Sequence, residues 1–212
     1  MTFDEFDVDP RCLSVLKSQD ITTPTAVQEQ AVPAMLAGKD LVVTAQTGSG
    51  KTLAYSLPAL TRLAREQPLR NRMLVLVPTR ELAVQVDNVM QPLAKALKLH
   101  VALIYGGVGF NTQNAQLKKG SDIIVATPGR LLDHMGRGNV RLGQLEILVF
   151  DEADRMLDMG FLPDIQRILE KLPVNRQTAM FSATFAPEIE RLTSKMMRDP
   201  ERIEVGTVAR PV

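Results

Sequence analysis

The sequence predicts an α/β fold, a parallel β-sheet with helices on both faces. Three observations predict it. From residue 41 onward, short apolar runs of strand length alternate with helix-length segments, a spacing that calls for right-handed crossovers and parallel strands. The first of those strands runs into Gly48-Ser49-Gly50-Lys51-Thr52 and then into a helix-forming stretch, the strand, glycine turn and helix of a phosphate loop. Finally, residues able to do chemistry fall just after strands, at 48–52, 78–80, 106–107, 127–130, 151–154 and 182–184. Ligands of parallel sheets sit beyond the carboxyl ends of the strands, so these positions predict one functional face.

Taken in order, the opening residues alternate acid and aromatic, with Phe3 and Phe6, and give way to a helix over 10–18 that starts at Pro10 and carries Leu13 and Leu16. Thr22-Thr23-Pro24-Thr25 is a turn, because Pro24 pushes Thr23 out of the helical region. A helix over 25–37 stops at Gly38, a C-terminal cap. Leu41, Val42 and Val43 form a buried strand, and 53–65 is the helix beyond the glycine turn. Strand 73–77 ends at Pro78, and the helix over 81–97 is expected to bend at Pro92. Strand 101–105 turns at Gly106-Gly107 toward a helix over 112–119, closed by Gly120. Strand 123–126, helix 130–135, strand 147–150, helix 162–172, strand 178–181, helix 187–197 and an edge strand 202–205 complete the alternation. The tail, 206–212, reads as linker.

At 212 residues the chain has room for one large domain with a full core. Its 45% apolar and 23% charged residues are the balance of a soluble globular protein. A net charge of +1 means that any phosphate-binding face rests on local groups and backbone amides rather than on bulk charge. The single cysteine, Cys12, permits no internal disulfide, suits a reducing compartment and reads as core. The acidic N-terminus lacks a signal peptide's apolar segment, and no apolar run approaches membrane-spanning length. The expected location is cytoplasmic, without membrane contact. The ten methionines read as adaptable core filling. His100 and His134 lack ligand spacing and receive no role, and Lys118, Lys119, Arg137 and Arg141 read as solvated surface.

In the phosphate loop, backbone N–H groups of the turn and of the helix N-terminus favour an anion at one place. Lys51 can reach terminal phosphates, and the Thr52 hydroxyl can hold Mg²⁺. Ala45 stands where the strict G-x-x-x-x-G-K-[ST] pattern has glycine. A left-handed backbone there would cost alanine about 1–2 kcal/mol, so ordinary dihedrals are expected at Ala45. Asp151-Glu152-Ala153-Asp154 follows the apolar strand 147–150. Alone it would be read as an acidic helix N-terminus, where carboxylates favour the dipole. With a phosphate loop upstream, it is the second half of a nucleoside triphosphate site. Asp151 is placed to ligate Mg²⁺, and Glu152 to orient or deprotonate a water.

These residues, in this order, resemble the N-terminal RecA-like domain of the DEAD-box ATP-dependent RNA helicases, whose name spells residues 151–154. The resemblance covers essentially the whole chain and rests on Pro24-Thr25-Ala26-Val27-Gln28, Ala45 to Thr52, Pro78-Thr79-Arg80-Glu81-Leu82, Gly106-Gly107, Thr127-Pro128-Gly129-Arg130, Asp151 to Asp154 and Ser182-Ala183-Thr184. An alanine opening the phosphate loop is usual for that family. The run Asp154-Arg155-Met156-Leu157-Asp158-Met159-Gly160-Phe161 is most like the bacterial RhlE-type branch. The fold implied is a RecA-like P-loop NTPase domain. Residues 1–38 would be a flanking region with the glutamine motif, 39–205 the RecA-like unit, and 206–212 the start of a linker to a second RecA-like domain that the chain lacks.

The resemblance also implies roles. ATP would lie on Ala45, Gln46, Thr47, Gly48, Ser49, Gly50, Lys51 and Thr52, with Gln28 reading adenine through its amide donor and acceptor. Thr25 would help hold the loop, and Phe3 matches the motif's upstream aromatic. Asp20 and Ile21 depart from the family's usual glycine and aromatic; an aliphatic side chain covers a purine without aromatic stacking, which bears on affinity rather than on adenine preference. Lys51, Asp151 and Glu152 would be catalytic, with Mg²⁺ on Thr52 and Asp151. Pro78, Thr79, Arg80, Gly106, Gly107, Thr127, Pro128, Gly129 and Arg130 would grip an RNA sugar–phosphate backbone, an interaction that positions a strand without reading bases. Without the family pattern, they read as plain turn chemistry. Ser182 and Thr184 would couple the two sites through hydroxyls bonded to Asp154. Arginines from a second domain normally complete hydrolysis, so this chain, a monomer, is expected to bind adenine nucleotide weakly, hydrolyse it little and not unwind. The alternative is a nucleotide-switched RNA-binding scaffold without catalysis, against which Lys51, Asp151 and Glu152 argue. A P-loop kinase or GTPase is disfavoured by Gln28 and by the lack of an Asn-Lys-x-Asp stretch.

Overall fold

In the computed structural model, which describes residues 1–65 and 70–206, the apolar runs form strands β1 (Leu41–Thr44), β2 (Met73–Leu76), β3 (Val101–Ile104), β4 (Ile123–Ala126), β5 (Ile147–Asp151), β6 (Gln177–Ser182) and β7 (Glu201–Glu204). Between them lie helices α1 (Pro10–Ser18), α2 (Ala26–Leu36), α3 (Lys51–Arg65), α4 (Arg80–Ala96), α5 (Phe110–Lys119), α6 (Pro128–Gly136), α7 (Ala153–Asp158), α8 (Leu162–Glu170) and α9 (Pro187–Met196). The seven strands make one sheet in the order β3-β4-β2-β5-β6-β1-β7, and every pairing is parallel. The expected edge strand is at an edge. Linker residues 207–212 lie outside the described residues, and no helix among the described residues is long and apolar enough to cross a membrane.

Strand side chains alternate between two separate cores. Leu41, Val43, Val75, Val125, Val149 and Phe181 pack with residues of α1 to α4. Val42, Leu74, Ile124, Leu148, Phe150 and Met180 pack with residues of α6 to α9. Burial on both faces is why the central strands read as unbroken apolar runs rather than as alternating ones. It also leaves the carboxyl strand ends as the place where polar residues can converge. Cys12 is fully buried in the first core.

Several boundaries differ from expectation for identifiable reasons. α3 begins at Lys51 and α6 at Pro128, two residues early in each case, because Lys51-Thr52 and Pro128-Gly129 add no apolar periodicity, although proline suits the first helical turn. β5 and β6 extend to Asp151 and Ser182, so both chemical residues sit within strand tips. The short helix α7 has no counterpart in the sequence pattern; its only buried residues are Ala153 and Met156, too few for a periodic signal. α4 runs unbroken through Pro92, and α2 and α3 through Pro33 and Pro58. Gly38 and Gly120 take positive φ at helix ends, as expected.

Candidate functional site

The phosphate loop joins β1 to α3. Gly48 and Gly50 both have φ of +83°, a region closed to most side chains, and Ala45 is absent from the positive-φ residues, as expected. The Ala45 amide donates to the Ser182 carbonyl at 3.0 Å, which pins the loop's entrance to the tip of β6. Ser49 Oγ is buried without a hydrogen-bond partner. The loop therefore presents α3's N-terminal amides, a hydroxyl with nothing to bond, and Lys51.

Lys51 and Asp151 are brought together. Their Nζ–Oδ1 distance is 3.9 Å, with both side chains at or below 8% exposure, so the pair is electrostatic rather than a direct hydrogen bond. Asp151 Oδ2 accepts from the Tyr55 hydroxyl at 2.8 Å, while Oδ1 is buried and accepts no hydrogen bond. Burial pushes the Asp151 carboxyl above its ordinary range; the Lys51 charge and the Tyr55 hydrogen bond only partly offset this. Tyr55 is fully buried and well above the usual phenol range, first from burial and then from the Asp151 charge. Sequence reasoning missed it, although Lys51 and Tyr55 stand one turn apart on α3 and so share a face.

Glu152 holds φ 56°, ψ 52°, a left-handed conformation that costs a non-glycine residue energy and clusters at functional sites. Its carboxylate pairs with Arg155 at 3.3 Å. Asp154 accepts from the Thr184 hydroxyl at 3.1 Å, the hydrogen bond expected there. Ser182 corrects the other half of that expectation. Its hydroxyl donates to the Thr184 carbonyl at 2.7 Å instead of reaching Asp154, because the side chain is fully buried at the strand end and closes a local turn.

Thr25 and Gln28 form a capping box on α2, with Gln28 Oε1 accepting from the Thr25 amide at 2.9 Å. Gln28 Nε2 donates to the Gly50 carbonyl at 3.1 Å, so this 2% exposed side chain ties the helix to the phosphate loop. Each amide atom keeps capacity for one more bond. Phe3 is in the core, 4% exposed and edge-on to Phe6; no face of its ring is open to a base. Ile21 is half-buried against the same core. Asp20 takes φ 57°, where glycine would be unstrained.

The remaining turns lie together. Residues 78–80, 106–107 and 127–130 follow β2, β3 and β4, three adjacent strands. Thr79 caps α4 by accepting from the Leu82 amide at 3.2 Å. Thr127 precedes α6 without a side-chain cap bond. Pro78 and Pro128 are buried, Gly106 and Gly107 exposed, and Gly129 intermediate. Arg80 and Arg130 act as braces: Arg80 lies over the Tyr105 ring, and Arg130 donates to the Val108 carbonyl at 2.8 Å. Among the described residues no group of three His, Cys, Asp or Glu could hold a metal by itself, which is compatible with a Mg²⁺ shared between few protein ligands and phosphate oxygens. A cavity of about 660 Å³ lies at the opposite strand ends, lined by Gly38, Arg62, Glu146 and Gln177. It is remote from the loop, and Arg62 within it is taken up by Glu146 and Gln177.

Comparison with known proteins gives this geometry its context. The family model described as DEAD/DEAH box helicase matches residues 25–192. The chain is 44% identical over 210 residues to the probable ATP-dependent RNA helicase ddx27 of Dictyostelium discoideum, covering 98% of this chain and 27% of that protein. It is 42% identical over 203 residues to the ATP-dependent RNA helicase DbpA of Bacillus subtilis, covering 96% of this chain and 42% of that protein. It thus spans less than half the length of these relatives. A crystal structure of a hypothetical ATP-dependent RNA helicase from Sulfolobus tokodaii superposes with a TM-score of 0.86 at 38% identity, over 93% of this chain and 57% of that one. With the loop, the acidic strand tip and the RecA-like sheet in place, the chain belongs to the DEAD/DEAH box helicase family.

Proposed function

We propose that the chain is the ATP- and RNA-binding N-terminal RecA-like unit of an ATP-dependent RNA helicase that locally unwinds duplexes. The observation that carries this reading is the Lys51–Asp151 pair at the N-terminus of the phosphate-loop helix, with Asp151 Oδ1 accepting no hydrogen bond. Lys51 and the α3 amides would hold the triphosphate, and Gln28 would use its spare N–H and lone pair on adenine. Thr52 and Asp151 would hold Mg²⁺, which when bound neutralises charge on the phosphate oxygens. Glu152 would orient the attacking water, while the turns after β2, β3 and β4 hold an RNA strand by its backbone. The Thr184–Asp154 bond would carry one site's state to the other. A second RecA-like domain would supply the arginines that complete hydrolysis, so the chain alone, a monomer in the reducing cytoplasm, binds ATP but turns it over slowly and does not unwind. The run 154–161 favours the RhlE-type branch. The scaffold alternative has no specific support, since a non-catalytic switch needs neither the buried Asp151 nor the strained Glu152.

Titration of fluorescent ATP and GTP analogues tests the reading. The native chain is expected to prefer ATP, and Gln28→Ala to reduce that preference by about tenfold, the worth of roughly one charge-assisted or buried hydrogen bond. Gln28→Glu retains the acceptor for Thr25, keeping the capping box while losing the donor to the Gly50 carbonyl and to adenine, and so separates helix capping from the amide donor's roles. Equal binding of both nucleotides by the native chain would remove the adenine role, and failure to bind labelled single-stranded RNA would remove the helicase reading.

A further inference from the structure

We propose that Gln113 is a positioning residue that fastens the three RNA-facing turns to one another, so that they grip a strand as a single rigid plate. This inference rests on the RNA-binding reading above and deepens it. Gln113 lies on α5, outside all the turns, and sequence reasoning gave it no role. It is 2% exposed, and its amide bonds in three directions. Nε2 donates to the Tyr105 carbonyl at 2.6 Å, at the start of the Gly106-Gly107 turn. Oε1 accepts from Arg130 Nη1 at 3.3 Å, in the turn after β4. The same oxygen meets His134 Nε2 at 2.8 Å. Arg130 Nη1 also reaches the Val108 carbonyl at 2.8 Å, closing a ring of interactions between two turns. Arg80, from the turn after β2, lies 5.2 Å from the centre of the Tyr105 ring and brings the third turn into the set.

The surroundings leave the amide one orientation. The Tyr105 carbonyl requires a donor, so Nε2 must face it and Oε1 must face Arg130 and His134. His134 Nδ1 lies 3.1 Å from Asn139 Nδ2, which can only donate. The imidazole is therefore neutral with its proton on Nε2, donating to Gln113. Burial lowers the His134 pKa, as do the neighbouring Arg130 and Arg137 charges, against a weaker opposing effect of Asp133. Phe110, three residues before Gln113 on the same helix face, takes the Arg130 and Arg137 guanidiniums at 4.2 and 3.9 Å from its ring centre and stands 5.0 Å from the His134 ring. A buried amide bonded to three neighbours holds them firmly, and removing it strands several polar groups together.

Fluorescence anisotropy with a labelled single-stranded RNA, repeated across salt concentrations, tests the role. Gln113→Met keeps the volume and removes every bond. It is expected to weaken RNA binding by about tenfold while leaving binding of a fluorescent ATP analogue unchanged. The slope of log affinity against log salt should flatten by about 0.7 for every phosphate the turns no longer hold, which a general decline in folded protein would not produce. Gln113→Glu keeps the acceptor toward Arg130 and His134 and should recover part of the affinity. Native RNA affinity and salt slope in a folded Gln113→Met chain would overturn the inference while leaving the RNA reading intact; no RNA binding by the native chain would overturn both. Should the variants not fold, hydrogen exchange on the native chain decides. Amides of 79–82, 106–109 and 129–131 should gain protection at one common RNA concentration, and separate midpoints would overturn the proposal.

Discussion

Asp151 shows at a single carboxyl how function and stability oppose each other here. Its desolvation outweighs the attraction of Lys51, and the net result is a raised pKa. Between the ordinary carboxyl range and that raised value, the folded chain keeps a proton that the unfolded chain has released. Stability therefore falls as pH rises through this window, and the full penalty is present above the raised value. Asp151→Asn keeps an acceptor for Tyr55 and removes the charge. It should raise the melting temperature at pH 7, because the desolvation of the carboxylate outweighs the attraction of Lys51. The gain over the native chain should shrink on acidification, as the native carboxyl takes up its own proton. Thermal melts across pH 4 to 8 would check this, and a variant less stable at pH 7 would mean that Lys51 dominates the pair. The same substitution should end Mg²⁺-dependent nucleotide binding.

Single elements make sharper distinctions than their motifs do. In the phosphate loop, Gly48 and Gly50 share one φ, yet a Cβ on Gly48 meets nothing within 4 Å, whereas on Gly50 it meets Gln28 Nε2 at 2.5 Å and Thr25 at 3.1 Å. Gly48→Ala should cost about 1–2 kcal/mol of backbone strain. Gly50→Ala should cost roughly 1 kcal/mol more, because relief requires opening the capping box; urea denaturation measures the difference. The threonines before α4 and α6 divide in the same way. Thr79 is a cap, so Thr79→Ala should lose about 1 kcal/mol of stability along with RNA affinity. Thr127 makes no cap bond, so Thr127→Ala should weaken RNA binding with a much smaller change in melting temperature. The sequence placed both threonines at strand ends but could not separate them, because both precede helices and only the direction of the hydroxyl differs. α7 stayed hidden for a related reason: six residues with two buried ones carry no period.

At the scale of the whole molecule, the sheet order explains what was legible. Strands covered on both faces announce themselves as apolar runs, so the residues following them were placed on one face by position, with Lys51 and Asp151 legible as a pair and Arg80 and Arg130 given a role only by the resemblance. What was not readable depends on interactions between distant segments. Tyr55 meets Asp151, Gln113 meets Arg130, and Ser182 turns back on Thr184; none has a local pattern that distinguishes it from core or surface. The order β3-β4-β2-β5-β6-β1-β7 also separates the two proposed chemistries, with the turns proposed for RNA on β3, β4 and β2 and the residues proposed for nucleotide on β5, β6 and β1. A side-chain bond between Asp154 and Thr184 joins the segments that follow β5 and β6. In the proposed arrangement the phosphates would be cradled from one side, and no arginine among the described side chains is bonded at the Lys51–Asp151 pair. An arginine supplied in trans is worth about 10³–10⁵ in phosphoryl-transfer rate. ATP turnover by this chain with saturating single-stranded RNA should therefore lie at least about 10³-fold below that of a full-length relative assayed in parallel, even where nucleotide binding is comparable. RNA-stimulated turnover close to the full-length relative would show that the 212 residues already hold a complete hydrolysis site, and the requirement for a second domain would fall.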